Sequence, residues 1–129
     1  MLTNNFAVVS KAIDDIAILQ PKGYMNDLGA ERLEHECEQF LDKGLKKLII
    51  NFSDIQHINS MGASVLIGIV QRISESKGQL YFTNIKKVHF DVFEMLGIIK
   101  YVKIFKEERE ALKFLIKDAE KLGLEKTDL

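Results

Sequence analysis

The residues most able to bind or react lie together in the segment Ile58-Asn59-Ser60-Met61-Gly62, downstream of the apolar run Leu48-Ile49-Ile50. This pattern predicts a buried strand, a short polar loop and a helix that begins at Ser60, with Ser60 as its N-cap. The free N–H groups at such a helix end carry partial positive charge, so the position accommodates a phosphate or a carboxylate. Gly62 lets another surface approach the backbone closely. We therefore place the functional site of this chain here.

Two kinds of chemistry suit a serine at this position. Its hydroxyl can accept a phosphate, or it can act as a nucleophile if a base lies beside it. His57, three residues earlier across a turn, is the candidate base and a weak basis for a hydrolase. The sequence has no Walker-type phosphate loop, no nucleophile elbow and no His-Glu helix pair. We therefore expect a protein that is not an enzyme.

The histidines and the cysteine do not form the pattern of a metal site. His35, His57 and His89 lie far apart, and no two of them have ligand spacing. Cys37 is the one cysteine of the chain, which excludes an intramolecular disulfide. Its position on the apolar face of a predicted helix indicates a small core residue. We therefore expect neither a metal nor a tightly held cofactor.

The bulk composition is that of one globular domain. The 129 residues are 47% hydrophobic and 29% charged, with a net charge of −1 and no block of like charges. This balance gives no electrostatic footprint for nucleic acid or for an anionic membrane. The first residues lack the basic and apolar regions of a signal peptide, and no apolar run reaches the roughly 18 residues of a membrane helix. We expect a single cytoplasmic domain over residues 1–129, with its core at about 6–122.

The chain opens with a predicted β-hairpin. Two β-type runs, residues 6–9 and 16–19, flank a turn centred on Asp14-Asp15. Pro21 and Gly23 are predicted to close the second strand, because proline cannot donate to a ladder and glycine frees a turn.

Strands and helices alternate after the hairpin. Asn26 or Asp27 caps a helix that Gly44 ends, Gly78 follows the central helix in a left-handed conformation, and Gly97 stops the next helix. The remaining elements are strands at residues 46–52, 80–83 and 101–105, helices at residues 60–77, 88–96 and 107–122, and a frayed tail over residues 125–129. The strand at 46–52 does not alternate, which is expected when helices cover both faces of a sheet.

The order β-β-α-β-α-β-α-β-α predicts an α/β domain. We expect a mixed, mostly parallel sheet of four to five strands flanked by four helices, with right-handed crossovers. Ligands of such sheets bind beyond the carboxyl ends of the strands. The loop at residues 53–59 lies at such an end, directly before the central helix.

This central segment resembles the signature of STAS domains of the anti-sigma factor antagonist type. The matching residues run from Leu48 to Gly62, where an apolar strand, a turn with Asn51 and Asp54, and the motif Asn59-Ser60-Met61-Gly62 follow one another. Glu94-Met95-Leu96-Gly97-Ile98 is similar to a later helix end of the family. The resemblance covers about residues 6–122 and implies a SpoIIAA-like fold.

The resemblance also implies a function. A family member of this type binds a serine-kinase anti-sigma factor and frees the sigma factor, and phosphorylation ends the binding. The family's aspartate is Asn59 here, and Met61 occupies the usual phosphate-acceptor position. Ser60 is the candidate phosphoacceptor that the motif retains. The implied partners are an anti-sigma factor kinase and a phosphatase.

The candidate partner-binding residues are His57, Asn59, Met61, Gly62 and Val65. Several residues of this motif also have a simpler structural explanation. Ser60 serves as an N-cap, Asn59 bonds the turn, and Gly62 allows close packing of the helix start. An alternative function remains open, because Met61 cannot be phosphorylated: a constitutive STAS subunit of a signalling assembly or of a membrane transport complex. The oligomeric state is also open.

Overall fold

A mixed six-stranded sheet with four helices forms the domain. The computed structural model describes residues 6–127, with side-chain surroundings through residue 117. The strands are β1 (Ala7–Ile13), β2 (Ile16–Met25), β3 (Lys47–Asn51), β4 (Ile55–Ile58), β5 (Gln79–Thr83) and β6 (Lys103–Phe105). The helices are α1 (Asp27–Asp42), α2 (Ser60–Glu75), α3 (Lys87–Met95) and α4 (Glu108–Thr127), with a 3₁₀ turn at Ile98–Lys100.

The sheet has the strand order β1-β2-β3-β5-β6, and β4 pairs with the last part of β2. β1 and β2 form the predicted antiparallel hairpin, whose turn includes Asp14 at φ 54°. The other strand pairs are parallel. The predicted α/β class and the four flanking helices are confirmed. The sheet has one strand more than predicted, because β4 lies in the segment expected to be a loop.

Two apolar layers sandwich the sheet. The larger layer packs α1, α2 and α3 against one face, with Leu48 and Ile50 of β3 among its members. The smaller layer packs α4 against the other face, where Ile49 of β3 contributes. Successive residues of β3 are therefore buried on opposite faces, which explains why its sequence does not alternate. Cys37 lies in the larger layer, and burial raises the pKa of its thiol to about 12.

The predicted end of the second strand is wrong. β2 continues through Pro21 and Gly23 to Met25 because it changes partner along its length. β3 pairs with it as far as Leu19, and β4 pairs with it from Gly23 onward. Pro21 lies between these two pairings, where no parallel neighbour needs its missing N–H.

The end of α2 also differs from the prediction. Lys77, not Gly78, adopts the left-handed conformation, with φ 62°. The amides of Lys77 and Gly78 donate to the carbonyls of Ser74 and Ile73, as in a Schellman motif. A Cβ on Gly78 would lie 2.9 Å from Cγ2 of Ile73, so close packing explains this glycine.

The C-terminal part differs modestly from the sequence expectations. β6 begins at Lys103 rather than at Tyr101, and it is an edge strand as predicted. α4 extends to Thr127, past the predicted end at Leu122, and the last two residues of the expected frayed tail lie outside the described residues. Across residues 6–127, no helix has the length and apolar content needed to span a bilayer.

Candidate functional site

Two asparagines cap neighbouring helices at the carboxyl edge of the sheet. The side-chain oxygen of Asn26 accepts a hydrogen bond from the Gly29 amide at 2.9 Å, and that of Asn59 accepts one from the Gly62 amide at 2.8 Å. The N-cap of α2 is therefore Asn59, and the prediction that Ser60 is the cap is wrong. Asn59 has the extended backbone of a cap, whereas Ser60 already belongs to the helix. Both residue types are good caps, so sequence alone did not separate them.

Gly62 brings the starts of α1 and α2 together. The Asn59 amide donates to the carbonyl oxygen of Met25 at 3.1 Å, which joins the start of α2 to the end of β2. A Cβ on Gly62 would lie 2.4 Å from that same oxygen and 3.1 Å from the carbonyl oxygen of Asn26. Gly62 is buried. Internal packing therefore accounts for glycine here without any role in partner approach.

Ser60 and Met61 project from this junction into solvent. Ser60 is exposed, and Met61 is 57% exposed. The Asn59 and Gly62 amides already have acceptors, whereas the intervening amides of Ser60 and Met61 have none within the helix. Val65, one turn further along, is half-buried and packs against the core. Ser60 and Met61 are thus the accessible members of the predicted motif.

A β-bulge brings His57 opposite Tyr24. Gly23 pairs with Ile55, but Tyr24 pairs with His57 rather than with Gln56. Gly23 has φ 103°, a conformation that glycine adopts without strain. The rings of Tyr24 and His57 lie with their centroids 5.1 Å apart and their planes 31° apart. Bulges of this kind often redirect side chains next to functional sites.

Tyr24 also contacts the cap of α2. Its hydroxyl oxygen accepts a hydrogen bond from Nδ2 of Asn59 at 3.0 Å, and its side chain is 41% exposed. Leu28, in the first turn of α1, is 64% exposed. Sequence analysis missed both residues, since neither belongs to the motif around Ser60. We call the set Tyr24, Leu28, His57, Ser60 and Met61 the α1–α2 surface.

The start of α3 also contacts this edge of the sheet. Nζ of Lys86 donates to the carbonyl oxygen of Ile55 at 2.8 Å and so fixes the start of β4. His89 is buried, and its Nδ1 has no hydrogen-bond partner among the described residues. Burial, followed by the charges of Lys86 and His57, lowers the pKa of His89. Within the part of the chain that the structure describes, no three His, Cys, Asp or Glu side chains are grouped as metal ligands.

Comparison with known proteins identifies the family. The family model of the STAS domain matches residues 7–111, which include every residue of the α1–α2 surface. The chain belongs to the STAS domain family. The predicted SpoIIAA-like fold is therefore confirmed, as is the resemblance of residues 48–62 to the STAS signature.

Relatives of this STAS domain are named as anti-sigma factor antagonists. The proposed antagonist BtrV of Bordetella bronchiseptica is 28% identical over 87 residues, which cover 67% of this chain and 75% of BtrV. The crystal structure of a proposed antagonist from Thermotoga maritima has a TM-score of 0.73 at 26% identity, covering 82% of this chain and 92% of that one. SpoIIAA in its unphosphorylated form has a TM-score of 0.68 at 13% identity, covering 86% and 98%, and shows the shared fold.

Proposed function

We propose that this STAS domain is an anti-sigma factor antagonist that binds its partner through the α1–α2 surface. The observation that carries the proposal is the exposure of Ser60 and Met61 at the capped start of α2. The names of the relatives in Bordetella and Thermotoga support the same function. The protein then acts by binding, and its partner is an anti-sigma factor with serine-kinase activity.

The position of Ser60 suits a phosphorylation switch. A phosphate on Ser60 would add about −1.5 to −2 charges at neutral pH. At the first residue of α2 this charge faces the positive end of the helix, so the fold tolerates it. In a docked complex the same charge would have to lose water, which is costly unless it is paired. Phosphorylation by the kinase would therefore end binding, and a phosphatase would restore it.

The neighbouring residues have separate roles in this proposal. Met61 and Leu28 both project into solvent, so both offer apolar contacts to a partner. The flexible side chain of Met61 can adapt to the partner's shape. His57 contributes the exposed face of its ring beside Tyr24. Asn59 holds the helix start in place through its hydrogen bond to Gly62. Val65 lies at the margin of the surface, since it packs mainly inward.

A constitutive scaffold is the competing function. Met61 favours it, because this residue occupies the family's usual acceptor position and cannot be phosphorylated. In that function the α1–α2 surface binds without a switch, within a signalling assembly or a transport complex.

Phosphorylation in vitro separates the two functions. Each anti-sigma factor kinase encoded in the same genome would be purified and incubated with the chain and ATP, followed by intact-mass and peptide mapping. We expect one phosphate on Ser60 and none in Ser60→Ala. Ser64→Ala is the matched control, because Ser64 is exposed on the same helix. Binding of a kinase without any phosphate transfer would favour the scaffold.

Binding itself has its own test. Met61→Asp places a negative charge beside Ser60 on an exposed position, so it should leave folding intact and abolish kinase binding. Binding of the variant at wild-type affinity would show that the α1–α2 surface is not the docking site.

A further inference from the structure

The orientation of the Asn59 side chain is fixed by its hydrogen bonds. The Gly62 amide is a donor and lies 2.8 Å from one terminal atom of the side chain, so that atom must be the oxygen. The amide nitrogen Nδ2 then faces the hydroxyl of Tyr24 at 3.0 Å. The reversed orientation would place two donors against each other at Gly62. The cap of α2 therefore determines the direction of the hydrogen bond to Tyr24.

This direction leaves the hydroxyl proton of Tyr24 unused. A phenol can accept and donate at once, and here its oxygen accepts from Asn59. Within residues 6–117 the Tyr24 hydroxyl makes no second hydrogen bond. The ring is held by His57 through the bulged pairing of β2 with β4, and the side chain is 41% exposed. A positioned O–H donor thus stands on the α1–α2 surface.

Asparagine at position 59 is what keeps this donor free. An aspartate would also cap α2, but its two oxygens only accept hydrogen bonds. Tyr24 would then have to turn its proton toward residue 59 and would offer the partner an oxygen without a proton. The residue type at position 59 therefore sets the hydrogen-bonding polarity of Tyr24.

We propose that Tyr24 is a specificity-determining residue that donates a hydrogen bond to an acceptor of the partner, a carbonyl or a carboxylate, and that Asn59 positions it for this. The inference rests on the proposed function, since it assigns a contact within the same docking surface. This hydrogen bond selects partners that present an acceptor opposite Tyr24, next to the apolar contact of Met61.

The test is a double-mutant cycle. It measures binding to whichever of the purified anti-sigma factor kinases from the same genome binds the wild-type chain. The variants are Tyr24→Phe, which keeps the ring beside His57 but removes the hydroxyl, Asn59→Asp, and the two combined. We expect Tyr24→Phe to weaken binding roughly three- to ten-fold if the acceptor is a carbonyl, the range for one neutral hydrogen bond, and by more than about ten-fold if it is a carboxylate. In the Asn59→Asp background the same change should have no further effect, because the proton is already engaged. The added negative charge is present in both members of this comparison and therefore cancels. Complete loss of binding in Asn59→Asp alone would overturn the positioning role of Asn59, because charge at position 59 would then decide binding rather than the direction of the Tyr24 proton.

Controls separate this contact from a structural effect. Tyr101→Phe removes a hydroxyl from a 72% exposed tyrosine outside the surface and should leave binding unchanged. Urea unfolding should give Tyr24→Phe a stability close to that of the wild type.

Each result has one interpretation. Loss of less than three-fold in Tyr24→Phe, or an equal loss in both backgrounds, would overturn the role of Tyr24 while leaving the proposed function standing. Failure of every kinase to bind the wild-type chain would remove the proposed function and this contact with it.

Discussion

Gly62 offers the sharpest test of how the site is built. In the first turn of an exposed helix, Gly→Ala would ordinarily add about 0.5–1 kcal/mol of stability. At Gly62 the new Cβ would lie 2.4 Å from the carbonyl oxygen of Met25, whereas real Cβ contacts are essentially absent below 3.0 Å. The obstacle is backbone, so no side chain can swing away. Relief requires α2 to move from the end of β2, which strains the bond from the Asn59 amide to Met25.

The expected change in the free energy of unfolding follows from these two opposing effects, the overpacking and the helix preference for alanine. Overpacking of a closed site costs about 1–3 kcal/mol, and the helix preference for alanine offsets only part of it. We expect Gly62→Ala to lower the free energy of unfolding by about 1–2 kcal/mol, an estimate from the same overpacking range. Urea titration followed by far-ultraviolet circular dichroism measures this free energy of unfolding. For small domains the free energy falls by about 1–3 kcal/mol per molar urea, so the expected change shifts the midpoint measurably.

Gly68 provides the matched control on the same helix. A Cβ there meets nothing within 4 Å. Gly68→Ala should therefore raise stability by about 0.5–1 kcal/mol, the ordinary helix gain. The two identical substitutions are expected to have opposite signs. A Gly62→Ala variant at least as stable as the wild type would refute the close approach of α2 to Met25 on which the site geometry depends.

Two further expectations follow from buried titratable groups. The pKa of Cys37 is about 12 in the folded chain against an ordinary 9.0, so the unfolded chain loses this proton first and stability should fall as pH rises above about 9. Urea titrations at pH 8 and 10 should show a smaller fall in Cys37→Ala; equal falls would contradict the burial of the thiol. The pKa of His89 lies below its ordinary 6.5, so the unfolded chain takes up the proton more readily and stability should fall as pH drops below about 6.5. His89→Gln should lessen that fall between pH 7.5 and 5, and an unchanged pH slope would argue against a buried neutral His89.

Periodicity predicted the architecture because the dominant signal is burial on two faces. β3 could be recognised as a central strand since Leu48, Ile49 and Ile50 are all apolar, and its two faces prove to pack against different layers. The position of Cys37 on an apolar helix face likewise indicated the inward face of α1, where Cys37 is buried. Such patterns depend only on residues close in sequence, so one chain is enough to read them.

β4 and the long β2 could not be predicted in the same way. β4 has four residues, of which Gln56 and His57 are exposed, so its sequence is typical of a polar loop. It becomes a strand because β2 provides a partner beyond Pro21. That pairing joins segments about thirty residues apart, and no local pattern reports it.

The sequence indicated one part of the candidate site, the start of α2, but not all of the residues that lie around it. The exposure of Met61 agrees with the contact role expected for an exposed methionine, whereas the cap proved to be Asn59. Tyr24 was missed because its place beside Asn59 depends on the bulge between β2 and β4. A tyrosine just after a glycine in a strand was the one available signal, since such glycines often mark bulges.

The geometry of the α2 start also explains how one modification could spare the fold and yet prevent docking. A phosphate on Ser60 would lie at the start of α2, where the amides of Ser60 and Met61 have no acceptor within the helix and the capping residue is neutral. The attraction between a negative charge and this helix end favours the folded chain by roughly 0.3–1 kcal/mol. A partner that covers Met61 and Leu28 would instead have to desolvate the phosphate, at an effective cost of several kcal/mol per buried ion. The second effect is larger than the first, so phosphorylation would act on the complex rather than on the domain. The neutral Asn59 strengthens this asymmetry, because an aspartate at the cap would already place a negative charge beside Ser60 and would reduce the contrast between the two states.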